Sequence, residues 1–309
     1  MGFAPGSQAA DETALWTLVS QTHEKARLLN YSGFLSTKSG EHTQNSRVEH
    51  FATPEGEFEL IEKLDGQPSR WIRHNDQIQC IIPDRKLILS EKRQINSSFP
   101  RVFTNADGSA SLAQFYTIDE LSPRRVAGRQ ARVMRLLPKD QMRYEYRLFV
   151  DKEHSLLLRS ESYSRQGELL ERVGFSEINF SSDLSKKPAL IEAGPGWKEA
   201  STKILPIDDR KLPYALPQSM HGFSKINAFC RMKDNNLEVH QAVFSDGLAT
   251  LSVFIQKAQA GQTLPSVPMS HGAVMSKSEI QGTHLVTVLG EVPVVTLDTF
   301  LKSVKWKSQ

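Results

Sequence analysis

Between Tyr31 and Phe180 the chain alternates short strand-like runs with turn-forming pairs of residues. These pairs are Asp65-Gly66, Asn75-Asp76, Pro83-Asp84 and Gln166-Gly167. Consecutive strands joined by tight turns are typical of an antiparallel meander. Because an antiparallel sheet can bury one face and leave the other to solvent or a ligand, the pattern predicts a broad binding surface. No catalytic motif lies in this region, which favours a protein that holds its ligand over one that transforms it.

A helix at Asp11–Leu29, capped by Asp11, is predicted before the meander because apolar residues recur at helical spacing. Its buried face should contain Leu15, Leu18, Val19, Thr22, Ala26 and Leu29. Ten strands are predicted at Tyr31–Thr37, Ser46–Ala52, Glu57–Lys63, Ser69–His74, Gln77–Ile82, Lys86–Ser90, Arg129–Leu137, Arg143–Val150, Leu156–Ser164 and Leu169–Phe180, with a short helix at Ala110–Phe115. About ten strands strain a flat sheet, so the sheet should curl toward a barrel.

Aromatic residues are spread over the predicted sheet and suggest an apolar interior. The candidates for a lipid-binding cavity are Phe34, Phe51, Phe58, Trp71, Phe115, Tyr116 and Phe149. Two interpretations stay open: the rings line an unfilled apolar pocket, or they simply fill the interior.

The local distribution of charge along the chain is more informative than the net charge. A net charge of +3 is too small to indicate a nucleic-acid-binding protein. Between Arg124 and Arg147, however, eight basic residues are opposed only by Asp140 and Glu145. Such a cluster attracts phosphorylated head groups or another anionic partner. The candidate head-group residues are Arg124, Arg125, Arg129 and Arg132; the alternative is a solvated strand face.

At 309 residues, the chain is expected to form two domains. The stretch from Ser181 to Lys211 lacks a regular pattern and contains Gly194-Pro195-Gly196. We therefore predict a large domain at 11–184, a linker at 185–211 and a small domain at 212–309. Strands of the small domain are predicted at Phe223–Met232, Leu237–Phe244, Leu248–Gln256 and His284–Leu289, followed by a helix near Pro293. The expected fold class is α+β: a large curved antiparallel sheet with helices, plus a small α+β unit.

Motifs for catalysis or metal binding are missing from the sequence. It has no Gly-x-Ser-x-Gly elbow, no phosphate-binding loop and no His-Glu-x-x-His zinc motif. The nine histidines are scattered, and Cys80 and Cys230 are too distant for a Cys-x-x-Cys motif, although a disulfide between them stays open. We expect no catalysis, cofactor or metal. Ser7-Gln8-Ala9 is similar to the end of a signal peptide, so we expect a secreted chain whose signal has been removed.

Short motifs spread over nearly the whole chain resemble those of the periplasmic sigma-E regulators called RseB or MucB. In the meander they are Asn30-Tyr31-Ser32-Gly33, Leu64-Asp65-Gly66-Gln67-Pro68, Cys80-Ile81-Ile82-Pro83-Asp84, Arg125-Val126-Ala127-Gly128-Arg129 and Phe149-Val150-Asp151. In the second half they are Phe244-Ser245-Asp246-Gly247-Leu248-Ala249, Ser252-Val253-Phe254 and Gly290-Glu291-Val292-Pro293. Cys230 and the stretch from Arg231 to Val239 depart from the family pattern.

This resemblance implies a large domain shaped as a half-open barrel, similar to the lipoprotein carriers LolA and LolB. It also implies a periplasmic regulator that binds the periplasmic segment of a membrane anti-sigma factor of the RseA/MucA kind. The bound segment would be protected from site-1 proteolysis, and lipopolysaccharide or lipid A would trigger its release. The candidate partner-binding residues lie in the second half: Phe244, Ser245, Asp246, Gly247, Leu248 and Phe254.

Two other functions are alternatives to this regulatory role. A periplasmic lipoprotein or lipid carrier of the LolA type would share the large domain, but it does not need a second domain. A hydrolase assembled from distant residues is the remaining alternative. Association into a homo-oligomer also stays open, and no nucleic-acid partner is expected.

Overall fold

The computed structural model describes residues 5–92, 99–100, 108–180, 186–201, 204–208, 210–232, 238–259, 261–265 and 267–307, with side chains of the first two helices described from residues 12 and 112 onward. Across these ranges, none of the helices combines the length and the apolar character needed to cross a bilayer.

The first two thirds of the chain, up to Ser201, form a sheet of twelve strands. Its first six strands are β1 (Tyr31–Ser39), β2 (His42–Thr53), β3 (Gly56–Lys63), β4 (Arg70–His74), β5 (Gln77–Ile82) and β6 (Leu87–Lys92). The others are β7 (Tyr116–Val126), β8 (Arg129–Pro138), β9 (Glu145–Asp151), β10 (Leu157–Tyr163), β11 (Leu169–Asn179) and β12 (Lys198–Ser201). Three helical segments accompany them: α1 (Pro5–Leu28), α2 (Gly108–Phe115) and a 3-10 turn at Pro83–Arg85.

The order of the strands explains the shape of this sheet. It runs β12-β6-β5-β4-β3-β2-β1-β11-β10-β9-β8-β7, so two meanders are joined where β1 pairs with β11. All neighbouring pairs are antiparallel except β12 with β6. The outer strands β7 and β12 do not pair with each other, so the predicted curling stops short of a closed barrel. The expected fold class, a half-open antiparallel sheet with helices, is confirmed.

Helix α1 packs along the sheet through the face that its sequence predicts. Leu15, Leu18 and Val19 share one buried cluster with Met134 and Leu148 of the sheet. The prediction that Asp11 caps this helix is wrong, because α1 begins at Pro5. Proline suits a first helical position, where its missing N–H is not needed, and small residues follow it.

Strand β7 was not predicted, because Ser122-Pro123 interrupts its pattern. In the structure, β7 is an edge strand, and its register against β8 shifts between Leu121 and Arg124. Proline cannot donate to a ladder and is tolerated at edges and bulges. The irregularity therefore accommodates Pro123 without ending the strand.

The last third of the chain, from Ile204 onward, forms a smaller sheet covered by a helix. Its strands are β13 (Ile204–Pro206), β15 (Ser219–Met220), β16 (Phe223–Met232), β17 (Glu238–Ser245), β18 (Thr250–Lys257), β19 (Met269–His271), β20 (Val274–Gln281) and β21 (His284–Gly290). A separate two-stranded ribbon pairs β14 (Tyr214–Ala215) with β22 (Lys305–Trp306). Helix α3 (Val294–Lys302) buries Leu297, Phe300 and Leu301 against this sheet.

The segment predicted as a linker contains structure of its own. Strand β12 joins the large sheet, and β13, two residues later in the chain, joins the small one. Before β12, Leu190, Ile191 and Trp197 pack on a cluster of isoleucines of the large sheet. The Gln79 side chain holds this stretch through both backbone groups of Ile191.

Candidate partner-binding interface

A groove of about 690 Å³ lies along strands β1 to β5 of the large sheet. One lining residue comes from the small unit, which is the smaller sheet with helix α3. Its large-sheet walls include Thr37, Ser39, Lys63 and Trp71, and His271 contributes from the small unit. The imidazole of His271 stacks on that of His42 with 5.4 Å between ring centroids. The lining is mainly polar, with one half-buried indole. Such a surface suits an extended polypeptide with a few apolar anchors better than a purely apolar ligand.

The two units are joined by an ion pair that is entirely buried. Arg143 Nε donates to Asp246 Oδ2 at 2.6 Å, and both side chains have 0% exposure. The same guanidinium donates to Asp140 Oδ2 at 2.5 Å and to the His221 carbonyl at 2.7 Å. Every charge-bearing group of this pair thus has partners, which a buried ion pair requires.

Aromatic rings and backbone groups complete the surroundings of this ion pair. The Arg143 guanidinium lies 4.4 Å from the Phe115 ring centroid and 4.5 Å from that of Phe223, distances typical of cation–π contacts. The other carboxylate oxygen of Asp246 accepts backbone N–H groups of Leu248 and Ala249 at 2.9 and 2.8 Å. The Asp246 carboxylate that joins the units therefore also orders the turn between β17 and β18.

Further contacts extend the junction on both sides of the ion pair. Tyr144 Oη donates to the Val292 carbonyl at 3.1 Å, and Thr296 Oγ1 donates to the Met142 carbonyl at 2.7 Å. At Gly272, whose φ is +59°, a Cβ atom would lie 2.0 Å from Ser39 Oγ. Glycine is needed there for both the backbone conformation and the close approach.

Two carboxyl groups near this junction have pKa values above their ordinary range. Burial raises the pKa of Glu171, on β11 of the large sheet. Desolvation, together with the nearby Glu171 carboxylate, raises the pKa of Glu291, just after β21 of the small sheet, to about 7. Negative charge on both residues at once is therefore disfavoured.

The predicted lipid-binding aromatic residues differ in their position relative to the groove. Trp71 lines the groove, whereas Phe34, Phe51, Phe58, Phe115, Tyr116 and Phe149 are not among its lining residues. Strand register places Phe51 and Phe58 opposite each other on the sheet face that does not carry Trp71. Their role in lipid binding stays a prediction.

The four predicted head-group arginines differ in how far their charge is balanced. Arg132 makes a two-pronged pair with Glu120, at 2.8 and 2.7 Å. Arg129 contacts Asp151 and Glu153, and Arg125 donates to the carbonyl of Gly128 in its own turn. Arg124 is exposed on β7. Acids distant in sequence, which the local charge count omitted, therefore neutralise much of this cluster.

The predicted partner-binding hairpin lies largely inside the protein. Phe244 is 0% exposed, and Ser245, Asp246, Gly247 and Leu248 are also buried, while Phe254 is half-buried. Asp246 lies at the junction between the units, Leu248 packs with apolar residues of the large sheet, and Phe244 packs within the small unit. Arg143, which organises the junction, was not among the sequence candidates, because a single sequence does not reveal which acid a buried arginine meets.

Family models match both halves of the chain. The model described as the MucB/RseB N-terminal domain covers residues 16–192, and that of the MucB/RseB C-terminal domain covers residues 208–305. The chain belongs to the MucB/RseB family.

Relatives within the MucB/RseB family have regulatory names. The sigma-E factor regulatory protein RseB of Haemophilus influenzae is 26% identical over 285 residues, covering 90% of this chain and 87% of that protein. The sigma factor AlgU regulatory protein MucB of Pseudomonas aeruginosa is 27% identical over 313 residues, covering 97% and 93%. The structure of the P. aeruginosa MucA/MucB complex has a TM-score of 0.72 at 23% identity, covering 96% of this chain and 100% of that chain. This likeness confirms the two-part MucB fold.

We predict that Asp246→Asn weakens the junction strongly. The variant leaves a buried guanidinium without its carboxylate, which costs about 3–5 kcal/mol in comparable cases. Urea unfolding followed by tryptophan fluorescence measures the change in the free energy of unfolding. As a matched control, Asp119→Asn removes a solvent-facing partner of Arg135 and should cost less than about 1 kcal/mol. Equal losses in the two variants would contradict the central role of the buried pair.

A second prediction concerns pH. A carboxyl group whose folded-state pKa exceeds its unfolded value binds its proton more tightly in the folded protein. Its contribution to stability is therefore complete at low pH and is lost as pH rises from about 4.5 to about 7.

Glu291→Gln has no charge to lose, so its stability relative to the wild type should increase as pH rises through this window. Denaturant unfolding of both proteins at pH values from about 4.5 to about 8 measures the difference. Because the side chain partly reaches solvent, the change is smaller than for a fully enclosed group. A difference that stays constant with pH would refute the assignment.

Proposed function

We propose that this protein is a periplasmic regulator that binds the periplasmic segment of a membrane anti-sigma factor resembling MucA or RseA. Membership of the MucB/RseB family across both units carries this proposal. The names of its relatives point the same way, since they are called regulators of sigma factors, and MucB has been solved in complex with MucA(peri).

The groove offers a physical basis for holding such a segment. It combines hydroxyl and amide side chains with the half-buried Trp71, whose ring lies under Lys63 Nζ at 5.5 Å from the centroid. Extended peptides are recognised by polar groups that match their backbone and by pockets or rings that take a few side chains. A segment bound in this groove would be withheld from the site-1 protease, because a protease needs its substrate accessible and extended. The protein would in this way restrain sigma-E signalling by binding, without catalysis.

We propose further that lipopolysaccharide or lipid A releases the bound segment. Burial of an acyl chain contributes about 0.8 kcal/mol per CH₂ group, so even partial insertion shifts a binding equilibrium. The phosphates would meet the exposed Arg124 and compete with Glu120 and Asp151 for Arg132 and Arg129. Release in this mechanism is competition between two ligands.

The lipid-carrier alternative has less support. A carrier of the LolA type needs only the large domain, whereas this chain also matches the MucB/RseB C-terminal domain over residues 208–305. The groove along strands β1 to β5 is largely polar.

Trp71→Ala should reduce the affinity for the periplasmic segment of the cognate MucA-like anti-sigma factor by at least about tenfold, or about 1.4 kcal/mol. A half-buried aromatic ring in a groove is the kind of residue that dominates binding energy. Isothermal titration calorimetry with the purified segment measures the change.

Phe34→Ala is the matched control, because Phe34 is also a partly exposed aromatic residue but does not line the groove. Its affinity should equal that of the wild type. Equal effects of the two substitutions would place the binding site elsewhere, and no binding by the wild-type protein would refute the proposed function.

Lipid A added to the preformed complex should displace the anti-sigma segment, whereas phosphatidylcholine vesicles should not. Fluorescence anisotropy of a labelled segment follows the release. Arg124→Glu combined with Arg125→Glu should raise the lipid A concentration that is needed while leaving the affinity for the segment unchanged. Failure of lipid A to displace the segment would remove the release mechanism and leave the binding function intact.

A further inference from the structure

Three side chains with metal-binding atoms meet at one end of the small sheet. Cys230 on β16 pairs with His240 on β17, and Glu238 stands two residues before His240 on the same face of that strand. The thiol, one imidazole nitrogen and one carboxylate oxygen all lie within 4.8 Å of one another. Thiolate, imidazole and carboxylate are the three ligand types that zinc takes in proteins, and ligands around one tetrahedral ion stand a little closer than this.

The imidazole of His240 is already oriented for coordination. Its Nδ1 lies 2.8 Å from Tyr214 Oη, and its Nε2 lies 3.8 Å from Glu238 Oε2. When Nδ1–H donates to the Tyr214 hydroxyl oxygen, the lone pair of Nε2 is the one available to a metal, as in zinc sites where the other ring N–H of a histidine ligand is hydrogen-bonded.

The cluster is also open to an incoming ion. Glu238 and His240 line a pocket of about 450 Å³ that also contains His284 and Tyr214. The Glu238 side chain is 65% exposed. Three protein ligands beside an open pocket leave a fourth position for water, the arrangement of an accessible zinc site.

A second group of metal-binding residues serves as a contrast. Asp151, Glu153 and His154 also bring their ligand atoms together. There, however, the Arg129 guanidinium donates to Asp151 and Glu153 and lies 3.0 Å from His154 Nδ1. A cation already occupies that group, whereas no ion pair with a lysine or arginine reaches Cys230, Glu238 or His240 within the described part of the chain.

We propose that Cys230, Glu238 and His240 bind a divalent cation of the zinc class. On binding, the Cys230 thiol releases its proton to solvent and its sulfur donates an electron pair to the metal, with no change of oxidation state. His240 Nε2 and a carboxylate oxygen of Glu238 supply two further ligands, and water takes the fourth position. The soft thiolate selects zinc over magnesium or calcium. The ion would staple β16 to β17 at the end of the small unit.

Zinc chloride titrated into the full-length reduced protein, in the presence of a competing chromogenic chelator, tests the site. We expect one ion per chain, and at least a tenfold loss of affinity in Cys230→Ser and in His240→Ala. Bound zinc should also raise the unfolding temperature of the wild type and not of these variants, because an ion that binds the folded state stabilises it. If Cys230→Ser or His240→Ala prevents folding, Glu238→Gln tests the site instead, because Glu238 is exposed. Its affinity for zinc should also fall.

Cobalt gives a readout that is independent of stability. A sulfur-to-cobalt charge-transfer band should appear in the wild type and vanish in Cys230→Ser. Cys80→Ser and His154→Ala are the matched controls and should bind zinc like the wild type. The proposal fails if the wild type shows no saturable binding, if the cobalt band is absent, or if the Cys80 variant loses binding while the Cys230 variant keeps it.

Discussion

The buried pair between Arg143 and Asp246 is the interaction on which the arrangement of this molecule depends. A charge without solvent is tolerated only when its partners are complete, and here each group is held from several directions. The pair crosses from one unit to the other, so its geometry fixes their mutual orientation. An apolar contact of similar area would tolerate sliding, whereas directed hydrogen bonds do not.

The groove takes its lining from both units. Its walls come from five neighbouring strands of the large sheet, but His271 approaches from the small unit. Gly272 lets that loop come close to Ser39, and His42 receives the imidazole stack. The groove and the ion pair are therefore two separate places where the units meet, and different side chains line them.

Periodicity in the sequence was sufficient for most of the architecture. Alternation located ten of the strands of the large sheet, and helical spacing located the buried face of α1, because both patterns follow from which side chains must avoid water. It missed β7, where Pro123 interrupts the alternation, and β20, a polar strand whose side chains are half-buried. The site was less accessible to such reasoning. Asp246 was a candidate for partner binding, and nothing local to it indicates that a guanidinium 103 residues away is its partner. The same limit applies to Arg129 and Arg132, whose acids come from other strands.

Strands β12 and β13 have a mechanical consequence for any opening of the molecule. The first belongs to the large sheet and the second to the small one, and only two residues separate Ser201 from Ile204. The three Cα-to-Cα distances of this connection span at most about 11 Å when the chain is extended. The ends of β12 and β13 therefore cannot move further apart than this. The two sheets can separate further only by a hinge rotation about the short connection between Ser201 and Ile204.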